Sequence, residues 1–258
     1  MDDFLSHVRA VLYRNALWAY RSPFRFTDVV LWPLFTLFML TLFLTMIGGR
    51  SEYVGLVILS VIGWRMLYFV AFETSGIFIE DHWDRSLANF LVSPIDTLEI
   101  AVGGALTGVF KALAVVVLCL AIGYAVFGFV ISEPLTFLIA LFFLMLSGFS
   151  LGLILFGLAC YYEKRNVFTL SFILPEVIGL LSGPYFSPKE VFPSWLAGIV
   201  DTLPTTHAFD IIKSIYGFAE PDYPMLFATT AVWLLLALAL NRHLFDLGRK
   251  KGKLVKVG

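Results

Sequence analysis

Glu80-Asp-His-Trp-Asp-Arg-Ser-Leu-Ala-Asn-Phe-Leu-Val-Ser-Pro94 is a charged island in a chain that is otherwise almost continuously apolar. It carries Glu80, Asp81, His82, Asp84 and Arg85, and it lies between two segments each long enough to cross a bilayer. Trp83, Leu87, Phe90 and Leu91 recur at i, i+4, i+7 and i+8, so the stretch reads as a short helix with one apolar stripe. Ser93-Pro94 ends it, because proline disfavours helix at the residue before it. A short amphipathic helix joining two membrane spans suits docking to a partner at the membrane surface. The plainer reading is a solvated connector.

Outward from this stretch the chain is predicted to be an all-α integral membrane protein. Of its 258 residues 59% are hydrophobic and 14% charged, and the mean hydropathy is +0.88. A soluble domain carries about 25% charged residues. Six segments, 28–47, 54–79, 101–130, 134–161, 167–183 and 223–242, approach or exceed the roughly 20 apolar residues a crossing needs. The third and fourth are long enough to tilt, and only Ile131-Ser-Glu-Pro134 separates them. The N-terminus Met-Asp-Asp-Phe-Leu-Ser-His lacks the basic and apolar regions of a signal peptide, so insertion through the chain's own spans is expected.

Lysine and arginine set the expected orientation. Thirteen of them fall in residues 1–27, 80–100, 161–166 and the basic tail 243–258 with its approach, against three (Arg50, Lys189 and Lys213) in the opposite connections. The positive-inside rule then makes both termini, the 80–98 region and the 161–166 loop cytoplasmic.

Two flanking segments are distinctive. In residues 4–26, Leu5, Val8, Leu12, Ala16 and Ala19 share a face while Arg9, Arg14, Arg21 and Arg25 supply charge. That pattern predicts an amphipathic helix along the membrane surface, or else an ordinary basic flank of the first span. Residues 184–222 are broken by Pro184, Pro188, Pro193, Pro204 and Pro221 into pieces that include two short helices, about 191–201 and 206–218. They form either a re-entrant-like hairpin in the outer leaflet or a folded external loop.

Charges inside spans are costly, about +2.5 kcal/mol or more at a helix centre, and so point to function. Arg65 lies in span two and Glu176 in span five after Pro175. At 1.5 Å per residue Arg65 is roughly 16 Å from the outer face and Glu176 roughly 14 Å from the inner one, the same depth in a core of about 30 Å. The two are expected to pair or to face one cavity. Glu73, two turns from Arg65 on nearly the same face, is the rival partner, and Lys111 is expected to snorkel towards the cytoplasm. Gly104-Ala-Leu-Thr-Gly108 and Gly148-Phe-Ser-Leu-Gly152 have the small-x-x-x-small spacing of close helix contacts, expected within the subunit rather than at a dimer seam.

Self-sufficient catalysis has no visible basis. Gly248-Arg-Lys-Lys-Gly252-Lys253 has the wrong spacing for a phosphate loop. His7, His82, His207 and His243 are scattered, so no metal site is expected. Cys119 and Cys160 sit in apolar runs as packing residues. The net charge of −1 gives no footprint for nucleic acid.

The order of parts resembles the membrane subunit of ABC-2-type exporters, the group of polysaccharide, nodulation-factor and drug-efflux permeases, as one transmembrane domain over residues 1–258. The Glu80–Pro94 stretch is similar to the family's coupling region. Gly183-Pro184-Tyr185-Phe-Ser-Pro, Pro193-Ser-Trp195-Leu and Pro204-Thr-Thr-His207-Ala-Phe-Asp210 are similar to its outer motif, with Lys213 where the family often has a basic residue. The resemblance implies a homodimer, or a pair with a similar chain, in the cytoplasmic membrane on two cytoplasmic ABC ATPase subunits. ATP and Mg would sit on those subunits and no cofactor on this chain. Trp83, Asp84, Arg85, Leu87, Asn89, Phe90 and Leu91 would dock in the ATPase. The cargo would be a glycan or glycolipid, or an amphipathic drug-like molecule, moved along a seam of spans one, two and five, with membrane lipid around it. The alternatives are a non-transporting scaffold or assembly subunit and an integral-membrane enzyme acting on lipid.

Overall fold

The computed structural model describes residues 2–21, 25–83, 94–162 and 164–252, whose regular structure is all helix. In chain order the helices are α1 (Asp2–Arg21), α2 (Arg25–Met46), α3 (Ser51–Trp83), α4 (Thr97–Phe127), α5 (Pro134–Tyr161), α6 (Lys164–Leu181), α7 (Pro188–Val191), α8 (Ser194–Val200), α9 (Pro204–Ser214) and α10 (Tyr223–Lys250). Five of them, α2, α3, α4, α5 and α10, are long and apolar enough to cross a membrane. The expected fifth span, 167–183, falls in α6, which misses that measure because Lys164, Arg165 and Glu176 put three charges into eighteen residues.

α3 is the axis of the bundle. In its most apolar eighteen-residue window 83% of residues are buried, against 22% in the corresponding windows of α2 and α10. A helix apolar on every side can be buried on every side, and α3 packs on α2, α4, α5 and α6. Close approach comes from the glycines. A Cβ on Gly104 or Gly108 of α4 would lie 2.5 Å from the carbonyl oxygen of Glu73 or Phe69. On the other side, one on Gly148 or Gly152 of α5 would lie 2.7 Å or 2.8 Å from those of Leu67 or Ala71. Both small-residue pairs therefore clamp α3 inside the subunit.

Helix ends follow local chemistry. Asp96 caps α4 with a reciprocal capping box to Glu99, and Pro134 and Pro204 open α5 and α9 at a position where a missing N–H costs nothing. α4 closes on Gly128 at φ 64°, a left-handed turn that glycine adopts without strain. α3 continues through Glu80–Trp83 instead of ending at 79. α10 continues past 242 to Lys250, so part of the expected tail is helix, and Lys251 Nζ donates to Tyr161 Oη at 2.8 Å. The rest of the coupling stretch, with Asp84, Arg85, Leu87, Asn89, Phe90 and Leu91, lies outside the described residues.

α1 packs on α4. His7 Nδ1 meets Glu99 Oε2 at 2.9 Å, Val11 lies against Gly103, and Asn15 Nδ2 donates to Thr107 Oγ1 at 2.9 Å. The constant offset of 92 residues in four-residue steps sets α1 alongside α4 with the same chain direction over two turns. Its polar side chains serve this contact, which an amphipathic periodicity alone does not distinguish from a lipid contact.

The 184–222 segment is a capped end of the bundle. α8 and α9 fall within one to four residues of the expected pieces. α9 is deeply packed on α5, α10 and α3, with Phe209, Ile211 and Ile212 fully buried.

Candidate functional site

Arg65 and Glu176 meet. Arg65 Nη1 donates to Glu176 Oε1 at 2.9 Å, tying α3 to α6 one residue beyond Pro175, where the helix lacks a backbone donor. The rival carboxylate Glu73 instead bonds Lys111 of α4, so Lys111 is paired inside the bundle and does not snorkel away. Arg65, Glu176, Glu73 and Lys111 thus each have an opposite partner on a neighbouring helix, which offsets the cost of burying them.

The Arg65–Glu176 pair borders a partly open cavity of about 370 Å³ lined by Trp32 and Thr36 of α2, Arg65, Tyr68 and Phe69 of α3, and Phe172 and Glu176 of α6. The Arg65 guanidinium carbon lies 5.5 Å from the centre of the Tyr68 ring, within cation–π range. Below the pair, Tyr68 stacks on Phe72 at 5.9 Å, and Phe72 meets Phe172 at 4.5 Å and Phe168 at 6.0 Å. Above it, Trp64 lies against Gly179 and 6.2 Å from the Tyr185 ring, and Ser60 Oγ donates to Pro184 O at 2.8 Å.

Sequence reasoning named the charges of this site but not its walls. Its signal was present: Trp64, Tyr68 and Phe72 are four apart on α3, as are Phe168, Phe172 and Glu176 on α6, so each set shares a face.

The motif residues of the 184–222 segment serve elsewhere. His207 Nε2 donates to Asp201 O at 2.9 Å, closing the end of α8. Buried Lys213 bonds Asp210 at 2.6 Å and Phe186 O at 3.0 Å. Exposed Lys189 pairs with Asp201 at 3.0 Å, a bond that raises its pKa. Pro193 precedes α8, Pro204 opens α9 and Trp195 is exposed. None of Pro184, Tyr185, Pro193, Trp195, Pro204, His207 and Asp210 lines the Arg65–Glu176 cavity.

Among the described residues no three His, Cys, Asp or Glu side chains form a metal cluster. A second groove of about 480 Å³, mostly apolar, lies between α1, α2 and α4.

The family described as "ABC-2 type transporter" matches residues 6–216. The proteins described as "Probable multidrug ABC transporter permease YbhR" in Escherichia coli K12 and in Escherichia coli O157:H7 are each 28% identical to the chain over 190 residues, 72% of it and 50% of the relative. The chain spans about half the length of the curated relatives it matches.

Proposed function

This chain belongs to the ABC-2 type transporter family, and on that premise we propose that it is the membrane subunit of an ATP-driven exporter whose cargo passes the Arg65–Glu176 cavity. It works with a separate ABC ATPase, and two copies of the chain close the open side of the cavity between them. The exposed face of α2, with Trp32, Phe35, Met39 and Phe43, is continuous with that opening and supports a seam there. The relatives' description as multidrug permeases favours an amphipathic drug-like cargo over a glycan.

Six crossings follow if α6 is counted, and its paired Glu176 supports counting it. The split of basic residues supports both termini on the cytoplasmic side of the plasma membrane, with α7–α9 as an outer cap that dips into the bilayer.

The observation that carries this reading is the continuity of α3. One helix holds Arg65 at the cavity and runs unbroken to Trp83, about 27 Å along its axis. A packed helix transmits a displacement that a loop would absorb. Residues 83–91 are the coupling element, with Trp83, Leu87, Phe90 and Leu91 as the apolar anchor and Asp84, Arg85 and Asn89 setting register. Replacing Trp83→Ala and Asp84→Ala together tests it: transport and ATPase association should fall while the permease stays folded. Undiminished transport with the ATPase still bound would favour the scaffold reading.

A further inference from the structure

The two halves of the Arg65–Glu176 pair are not equally accessible, and that asymmetry bears on what the cavity takes. The Arg65 side chain is 12% exposed and lies close to the ring of Tyr68, whereas the Glu176 side chain is 38% exposed. Among the described residues they are the only charged ones lining the cavity. A molecule arriving through the opening therefore meets a carboxylate with its counter-charge set behind it. A cation can add to that carboxylate without breaking the pair. An anion must first separate Glu176 from Arg65, and so forfeits a charge-assisted hydrogen bond in a poorly hydrated place.

The walls favour the same sign. Trp32, Tyr68, Phe69 and Phe172 line the cavity with aromatic rings, whose faces attract cations and repel anions. The neutral hydroxyls among the described lining residues are those of Thr36 and Tyr68. The hydroxyl that α2 contributes to the described lining, that of Thr36, donates to its own helix at Trp32 O, 3.0 Å away. A volume of about 370 Å³ lies within the range of small-molecule pockets.

We propose that the cavity between α2, α3 and α6 selects amphipathic aromatic cations, with Glu176 as the charge they meet and Trp32, Tyr68 and Phe172 as the rings that hold them. This rests on the exporter reading for its place in transport, but the binding preference belongs to this chain alone.

The full chain in lipid nanodiscs, with empty nanodiscs as the blank, is titrated with labelled tetraphenylphosphonium. Competitors are a second aromatic cation, the near-isosteric anion tetraphenylborate and an octyl glucoside below its micellar concentration. Saturable binding is expected, displaced by the second cation at least tenfold more readily than by the anion or the glucoside. Glu176→Gln, which can still accept from Arg65, should weaken the cation about tenfold, and Glu176→Asp should retain the preference. Absence of saturable binding, equal displacement by tetraphenylborate, or a Glu176→Gln variant that unfolds at the parent's temperature and binds as tightly overturns the proposal. Adding the ATPase separates the two readings. Cation binding without ATPase association removes the exporter and leaves the preference, whereas an ATPase-coupled complex blind to charge removes the preference alone.

Discussion

Arg65 on the buried axis of the bundle and Glu176 on the proline-broken α6 are joined by a 2.9 Å charge-assisted hydrogen bond, 111 residues apart in the chain. The contact spans the two helices that frame the aromatic cavity, so its chemistry can be tested by exchange. Arg65→Glu and Glu176→Arg should each destabilise the protein by about 1–3 kcal/mol, for a pair partly open to solvent, read as a lower thermal unfolding temperature in detergent. The double exchange should recover most of that loss. A double variant no more stable than the single ones would show that the pair does not hold α3 to α6.

Glu73 and Lys111 make the corresponding bond between α3 and α4, with both side chains largely covered. Lys111→Met leaves a carboxylate unpaired among apolar side chains and should cost about 3 kcal/mol, whereas Lys111→Met with Glu73→Met should come close to the parent. A double-mutant cycle on unfolding measures it, with additive losses as the contrary result.

The glycine contacts predict a sharp positional effect. Gly108→Val and Gly148→Val push a side chain onto the α3 backbone, and each should cost about 1–3 kcal/mol or more. Gly198→Ala in α8 has open space and should leave the unfolding temperature unchanged or slightly raised. Equal effects at the three positions would contradict the clamping of α3.

His7 touches the same Glu99 oxygen that accepts the Asp96 N–H in the α4 capping box. Removing it by His7→Ala should loosen α1 from α4 at a cost of about 1 kcal/mol, and so raise amide exchange in residues 2–21 about fivefold. Exchange in α10 serves as the internal control, and unchanged exchange in α1 would place its anchor elsewhere.

Five of the apolar spans and the pairing of the two mid-span charges were readable, because apolar length and charge placement obey the bilayer rather than the fold. The same bilayer hid the rest. A membrane helix can be apolar towards lipid and towards its neighbours alike, so Phe172 in the cavity and Phe110, Phe142 and Phe227 on the exterior carry the same periodic signal. Lys111 read as a snorkelling side chain because its partner sits 38 residues away on another helix. The face of α1 that meets α4, with His7, Val11 and Asn15, is not the Leu5, Val8 and Leu12 stripe, because the contact is set by Glu99, Gly103 and Thr107 far along the chain. The His207 and Asp210 motif was found, but the closing of α8 by His207 and the second bond of Lys213 depend on the Asp201 and Phe186 carbonyls, which side-chain identity does not reveal.

Native mass spectrometry of the protein, extracted in mild detergent with its ATPase co-produced, tests the central claim most directly. The account predicts two copies of this chain with two ATPase chains, reduced to a permease dimer by Trp83→Ala with Asp84→Ala. A parent species that carries no ATPase across several mild detergents would contradict it.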